Sequence, residues 1–164
     1  MGRLIIANQA LVVIGALLQV LLGRKDPQPS SRRVAECLLG WSLPLNVGLM
    51  GIFFFLGHTA RAKEVAEELG WPAGNPFQTE VAFANLSFGV LGLLCVRLRG
   101  VFWSATAIGH AIFMLSDAAL HAREMVKEKN FKPGNAGAVF FYDVLVPLAH
   151  LALVGHARPS RTRA

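Results

Sequence analysis

Long apolar runs alternate with short polar breaks along the chain, and the runs are longer than a soluble core element needs. A helix rises about 1.5 Å per residue and the hydrocarbon layer is about 30 Å thick, so about 18 or more apolar residues in a row read as a membrane span. Five stretches meet that description: 4–23, 34–58, 76–97, 101–125 and 138–156. Lipid offers the backbone no hydrogen-bond partners, so each stretch has to satisfy its own amides as a helix. The fold class expected is therefore all-α, a polytopic transmembrane helical bundle of five spans. Residues 1–164 then form a single integral membrane domain.

The breaks carry helix punctuation. "RKDPQPSSRR" after the first run is a polar turn with Pro27 and Pro29. The second run passes into "TARAKEVAEELG", which keeps helical spacing but turns charged. It predicts a helical extension into the headgroup region, stopped at Gly70. In "GNPFQTE", Asn75 can cap the third helix, Pro76 suits its first position, and Gln78 stands where a capping-box partner would. "RLRG" is a tight turn, and Pro133, Gly134 and Gly137 break the linker before the last span. Two prolines fall inside runs. Pro44 frees the carbonyl of Gly40 and reads as a packing kink, and Pro147 frees the carbonyl of Asp143.

Composition supports the membrane reading, with 54% hydrophobic and 16% charged residues. The first apolar run, Leu4 to Leu22, exceeds the 7–15 residues of a signal-peptide core and lacks a small-x-small cleavage site, so a retained first helix is expected. A net charge of +6 would suit nucleic acid, but the basic residues sit between and after the apolar runs, and no aromatic-interleaved basic patch appears. Nucleic acid is excluded as a partner; the lipid bilayer is the expected one. Small residues such as Ala105 and Gly109 would also let a second copy, as in a homo-oligomer, or another membrane-complex subunit approach closely.

Charge also sets orientation. One side holds Arg24, Lys25, Arg32, Arg33, Arg97, Arg99, Arg158, Arg161 and Arg163. The other holds Arg3, Arg61, Lys63, Arg123, Lys127, Lys129 and Lys132. The first side has the shorter, purely basic loops and is placed in the cytoplasm of an inner-membrane protein, with the N-terminus outside and the C-terminus inside. Trp71 and Tyr142 then fall near the outer boundary and Trp103 near the inner one, where they either anchor at the interface or pack. Cys37 and Cys95 read as small buried fillers.

Ionisable groups inside the spans are the candidate chemistry, because each costs energy in lipid unless paired or solvated. His110, Asp117 and His121 are spaced by seven and four and form one stripe on the fourth span. Asp143 and His150, seven apart, form a stripe on the fifth. Glu80 and Ser87 share a face of the third span, with Asn85 about 140° from Glu80 at 100° per residue. The depths predict an outer layer of Glu80, His121 and Asp143 over a deeper layer of Asp117, His110 and His150. The ligand- or ion-binding candidates are Glu80, Asn85, Asp117, His121, Asp143 and His150.

Three uses fit such a set. Glu80, His121 and Asp143 could ligate a divalent metal such as zinc, iron or manganese, the one cofactor the residues suggest. The groups could instead bind a cation or small polar ligand, or serve a membrane-embedded enzyme as a carboxylate–histidine acid–base pair on a lipid-like substrate. They could also only fix helix packing in a structural or accessory subunit, at about 1 kcal/mol per interhelical bond. No catalytic motif decides for an enzyme.

"GNPFQTEVAFANLSFGVLGLLC" (74–95) and "PGNAGAVFFYDVLVP" (133–147) resemble a family of small, uncharacterised multi-pass bacterial membrane proteins. The resemblance covers the chain from Gly74 onward; the first half matches mainly in hydropathy. It implies a bacterial integral membrane protein. The family pattern points to Glu80, Asn85, His121 and Asp143, whereas His110 and Asp117 are less typical of it.

Overall fold

A computed structural model describes residues 2–23 and 30–157. The polar turn at Pro27 and Pro29, and Arg24, Lys25, Arg158, Arg161 and Arg163, lie outside the described residues. The described residues are helical, without strands. In order they form α1 (Gly2–Leu22), α2 (Ser31–Ser42), a π-helical turn (Leu43–Leu49), α3 (Met50–Ala60), α4 (Ala62–Leu69), α5 (Pro76–Leu94), α6 (Val101–Lys127), α7 (Pro133–Ala136) and α8 (Ala138–Ala157).

Four segments are long and apolar enough to cross a membrane: Gly2–Leu22, Ser31–Ala60, Pro76–Leu94 and Pro133–Ala157. The fourth sequence span, 101–125, falls inside α6, which is not among them although it is the longest helix at 27 residues. Its His110, Asp117, His121, Arg123, Glu124 and Lys127 dilute its apolar character.

The bundle is built on one very close crossing. Gly48 and Gly51, on the π turn and α3, meet Gly89 and Gly92 of α5. A Cβ on Gly51 would lie 2.8 Å from the backbone of Gly89, and one on Gly92 would collide with the backbone of Gly48. Only glycine permits that approach, and dispersion between backbones then replaces side-chain packing. α8 packs along α6, and α1 and α2 close the other side.

The π turn is where Pro44 acts. The wide turn runs from Leu43 to Leu49, so Pro44 sits at the start of a change in helical winding rather than in a simple kink. The changed winding leaves the Asn46 carbonyl to accept the Tyr142 hydroxyl at 2.5 Å. Tyr142 is therefore a buried tie, not an interface anchor. Trp103 is buried too, with its ring nitrogen donating to the Cys95 carbonyl at 2.8 Å. Cys37 and Cys95 are free and buried, as small fillers would be.

The charged extension of the second span is a separate helix. Arg61 leaves helical geometry (φ −125°, ψ 32°), and α4 begins after it. Gly70 stops α4 in the left-handed region (φ 80°). The Gly70 and Trp71 amides return to Glu67 and Ala66, a Schellman pair that aims Trp71 back at the bundle. Asn75 caps α5 as expected, accepting from the Phe77 amide at 2.9 Å. Gln78 does not complete a capping box: its amide donates to the Ala62 carbonyl at 2.8 Å, tying α5 to α4.

Candidate functional site

Under α4 lies a cavity of about 110 Å³, walled by α3, α4, α5, α6, α7 and α8. Phe54, Leu69, Val81 and Met114 give it apolar walls, and Asn85, Asp117, His121 and Asp143 supply polar groups. At ~10–15 Å³ per water it holds several waters or a molecule of a few heavy atoms, well short of the ~300 Å³ of an ordinary drug-sized site.

His121 is fixed from three sides. The α6 stripe turns it inward, where it is 6% exposed. Trp71, aimed by the Gly70 cap, stacks on the ring at 5.8 Å between centroids. Asn135 on α7 meets Nδ1 with its amide oxygen at 2.7 Å. The orientation of the Asn135 amide follows from its nitrogen, which donates to the Asn130 carbonyl at 2.7 Å. Since Oδ1 can only accept, His121 Nδ1 donates, and in the neutral ring Nε2 is left as an acceptor.

That acceptor faces another. Asp143 Oδ2 lies 3.7 Å from His121 Nε2, too far for a hydrogen bond. Asp143 is 2% exposed, and its Oδ1 has no partner. Half-buried Asp117 lines the same cavity from α6. The cavity thus presents acceptors, with Asp143 Oδ1 bonded to none of the donor-bearing side chains that also line it, His58, Trp71 and Asn85, so it has room for an occupant bearing N–H or O–H groups.

A second polar cluster lies deeper. Asn46 Oδ1 accepts from Asn8 Nδ2 at 2.6 Å and from Gln9 Nε2 at 2.7 Å. Asn46 Nδ2 donates to Ser42 Oγ at 2.8 Å, and Ser42 Oγ meets His150 Nε2 at 2.7 Å. His110 and His150 stand 6.1 Å apart by ring centroid, and each has an Nδ1 without a partner.

The stripes therefore bring His121 near Asp143, and His110 near His150, at the two expected levels. Asp117 joins the outer group instead of the deeper one. Asn85 is buried at the outer cavity, while His150 belongs to the deep cluster. Glu80 departs from the expectation: it is exposed and does not line the cavity. The inward face of α5 is its narrow one, Ala82, Asn85, Gly89 and Gly92, because the tight crossing needs small residues there. Glu80 and Ser87 are consequently turned out. The metal trio Glu80, His121 and Asp143 is not assembled, and among the described residues no three His, Cys, Asp or Glu side chains are grouped as metal ligands.

Sequence reasoning missed Asn135, Asn8, Gln9, Ser42 and Asn46, and gave Trp71 only an anchoring or packing role at the outer boundary. Neutral polar side chains inside apolar runs were a usable signal: Ser42 and Asn46 are i, i+4 around Pro44, and Asn8 and Gln9 interrupt the first run. Asn135 gave none, since it lies in a run of helix breakers.

No curated protein and no solved structure matches the chain. A family of unknown function (DUF6790) matches residues 3–163, reaching well beyond the two signatures of the second half, and the protein is a helical membrane member of that family.

Proposed function

We propose that this is a five-pass inner-membrane protein that binds a small hydrogen-bond-donating ligand, an ammonium-type cation or a hydroxyl compound, in the outer cavity. The observation that carries the reading is the unmatched acceptor set: Asp143 Oδ1 without a partner, and His121 Nε2 held 3.7 Å from Asp143 Oδ2. An ammonium placed beside both can give one hydrogen to His121 Nε2 and another to Asp143 Oδ2, whereas a hydroxyl, with a single hydrogen, donates to one of them. Burial strengthens such bonds, because the surrounding medium screens them weakly. Trp71 adds an aromatic wall that suits a cationic group.

The fifth pass is α6. Its 27 residues would extend about 40 Å, enough to cross, and it lies along α8 with its polar stripe turned inward. The N-terminus is then outside and the C-terminus in the cytoplasm, so the cavity opens near the outer surface. A topology reporter fused to the C-terminus should report the cytoplasm; a signal from outside would overturn that orientation.

The ligand reading is tested by thermal unfolding of detergent-purified protein with ethanolamine or methylammonium added, against sodium acetate. Either amine should raise the Tm of the wild type and leave Asp143→Asn unmoved. Equal responses of wild type and variant would sink the proposal. A structural role suits the deep cluster better than the outer cavity, since Asn46 alone joins α1, α2 and the π turn through its side chain.

A further inference from the structure

A cavity of about 600 Å³ lies at the end of the bundle away from His121 and Asp143. The start of α2, the turn before α6, the first turn of α6 and the last turn of α8 wall it. α2 begins at Ser31, α6 begins at Val101 and α8 ends at Ala157, so three helices reach the edge of their apolar lengths here. In a bilayer that edge is the headgroup layer, on whichever side it faces.

Two arginines from different elements line the space, Arg32 on α2 and Arg99 in the turn before α6. Arg99 is seated: its guanidinium carbon lies 5.3 Å from the centre of the Trp103 ring. Trp103 is buried and held in turn by its bond to the Cys95 carbonyl. No carboxylate among the described residues pairs with Arg99. Arg32 gives its Nε hydrogen to Glu36 at 3.0 Å, which leaves its two Nη groups for another acceptor. Two guanidinium groups against one carboxylate leave the lining with one positive charge. A phosphate diester carries the matching single negative charge, and its oxygens suit the arginine fork.

The remaining walls are largely hydrocarbon, from Leu39, Val101, Val154 and Ala157. A free phosphate gains nothing from them. From Val101 an exposed stripe continues along α6 through Ala105, Ile108 and Ile112, at intervals of four, three and four. An acyl chain laid on that stripe starts beside the arginines. Phosphate and hydrocarbon are met side by side, at the level where a phospholipid carries both.

We propose that this cavity binds an anionic glycerophospholipid of the phosphatidylglycerol type through its phosphate diester. Arg32 and Arg99 hold the phosphate from two sides, and one acyl chain follows the stripe from Val101 to Ile112. Glu36 is already engaged by Arg32, so the ammonium of a zwitterionic lipid meets two guanidinium groups there and such a lipid binds more weakly.

The test uses full-length protein in dodecylmaltoside, with bound lipid counted by native mass spectrometry and Tm read by thermal unfolding. Dioleoylphosphatidylglycerol should bind as a single copy, raise the Tm, and bind about tenfold more tightly than dioleoylphosphatidylcholine. Excess glycerol 3-phosphate should not displace it. Arg99→Gln removes charge-assisted bonds from an exposed residue, so it should weaken that binding about tenfold and leave the lipid-free Tm unchanged. Arg97→Gln removes the same charge from the same turn, at a residue that does not line the cavity, and should bind as the wild type does. Equal weakening by the two variants would reduce the effect to diffuse surface charge and overturn the proposal. Equal affinity for the choline lipid overturns it too, because charge would then play no part. Displacement by glycerol 3-phosphate overturns it by removing the hydrocarbon from recognition.

Discussion

The outer cavity and the deep cluster are both polar, both buried and only a few helical turns apart, yet their hydrogen bonding differs. In the deep cluster a neutral amide, Asn46, exchanges bonds with Asn8, Gln9 and Ser42, and the Tyr142 hydroxyl takes its backbone carbonyl. In the outer cavity His121 is tied through Nδ1 to Asn135, while its other nitrogen faces a carboxylate it does not bond. Residue type alone does not separate packing devices from candidate sites in lipid. Unmade bonds do not either, since Asn8 Oδ1, His110 Nδ1 and His150 Nδ1 are unpartnered in the deep cluster as Asp143 Oδ1 is in the outer cavity. The difference is that the outer unpartnered atom belongs to a carboxylate and faces a cavity.

The sharpest way to break this comparison is to remove the hub of the deep cluster. Asn46→Leu deletes four side-chain bonds and leaves Asn8 and Gln9 facing an apolar group. At about 0.6 kcal/mol per bond, with added cost for the orphaned amides, the loss should be about 2–3 kcal/mol. Thermal or denaturant unfolding in detergent measures it. An unchanged midpoint would remove the structural role assigned to the cluster.

Next in size is Asn135→Leu. It takes away the acceptor that orients His121 and leaves Nδ1–H buried, at a cost of about 1–2 kcal/mol. The ring should also lose its fixed tautomer, so the amine-induced Tm rise should shrink along with stability. Asn135→Asp keeps an acceptor for Nδ1 and is expected to retain more of both. If Leu and Asp behave alike, Asn135 fills space and does not position His121.

Asp143→Asn sharpens the contrast by separating stability from binding. It keeps the shape but exchanges a buried carboxylate with an unpartnered oxygen for a neutral amide. Burying a neutral group costs less than burying a charge, so stability should hold or rise while the amine response disappears. A clear loss of stability, on the scale of Asn46→Leu, would instead make Asp143 part of the packing.

Spacing made the stripes of α6 and α8 legible: intervals of four and seven put His110 and His121, and Asp143 and His150, on inward faces at matching levels. Helical geometry and the cost of burying charge in lipid sufficed for that. They did not suffice for α5, because two faces competed and the winning face was chosen by backbone approach. The glycines of α5 could not announce the glycines of α3 without knowing that the two helices cross there. Asn135 was hidden for another reason. Its position depends on a four-residue helix whose Gly134 lies against the backbone of Glu68 and Leu69, a contact between segments some 65 residues apart. Local pattern carries no trace of such a contact.

Glu80 supplies the smallest expected effect and the most direct check on how the α5 face was chosen. It is exposed, one turn into α5, and its carboxylate can reach the headgroup region from there. Glu80→Gln should change stability by less than about 0.5 kcal/mol and leave the amine response intact. Asn85→Leu, on the narrow face of the same helix, alters the cavity wall directly and should reduce that response. The two substitutions are about 140° apart on one helix, so they differ chiefly in which face they touch. If Glu80→Gln abolished the response and Asn85→Leu spared it, α5 would have to be rotated from the orientation its glycines impose. The crossing with α3 would then be wrong, and with it the wall that closes the outer cavity.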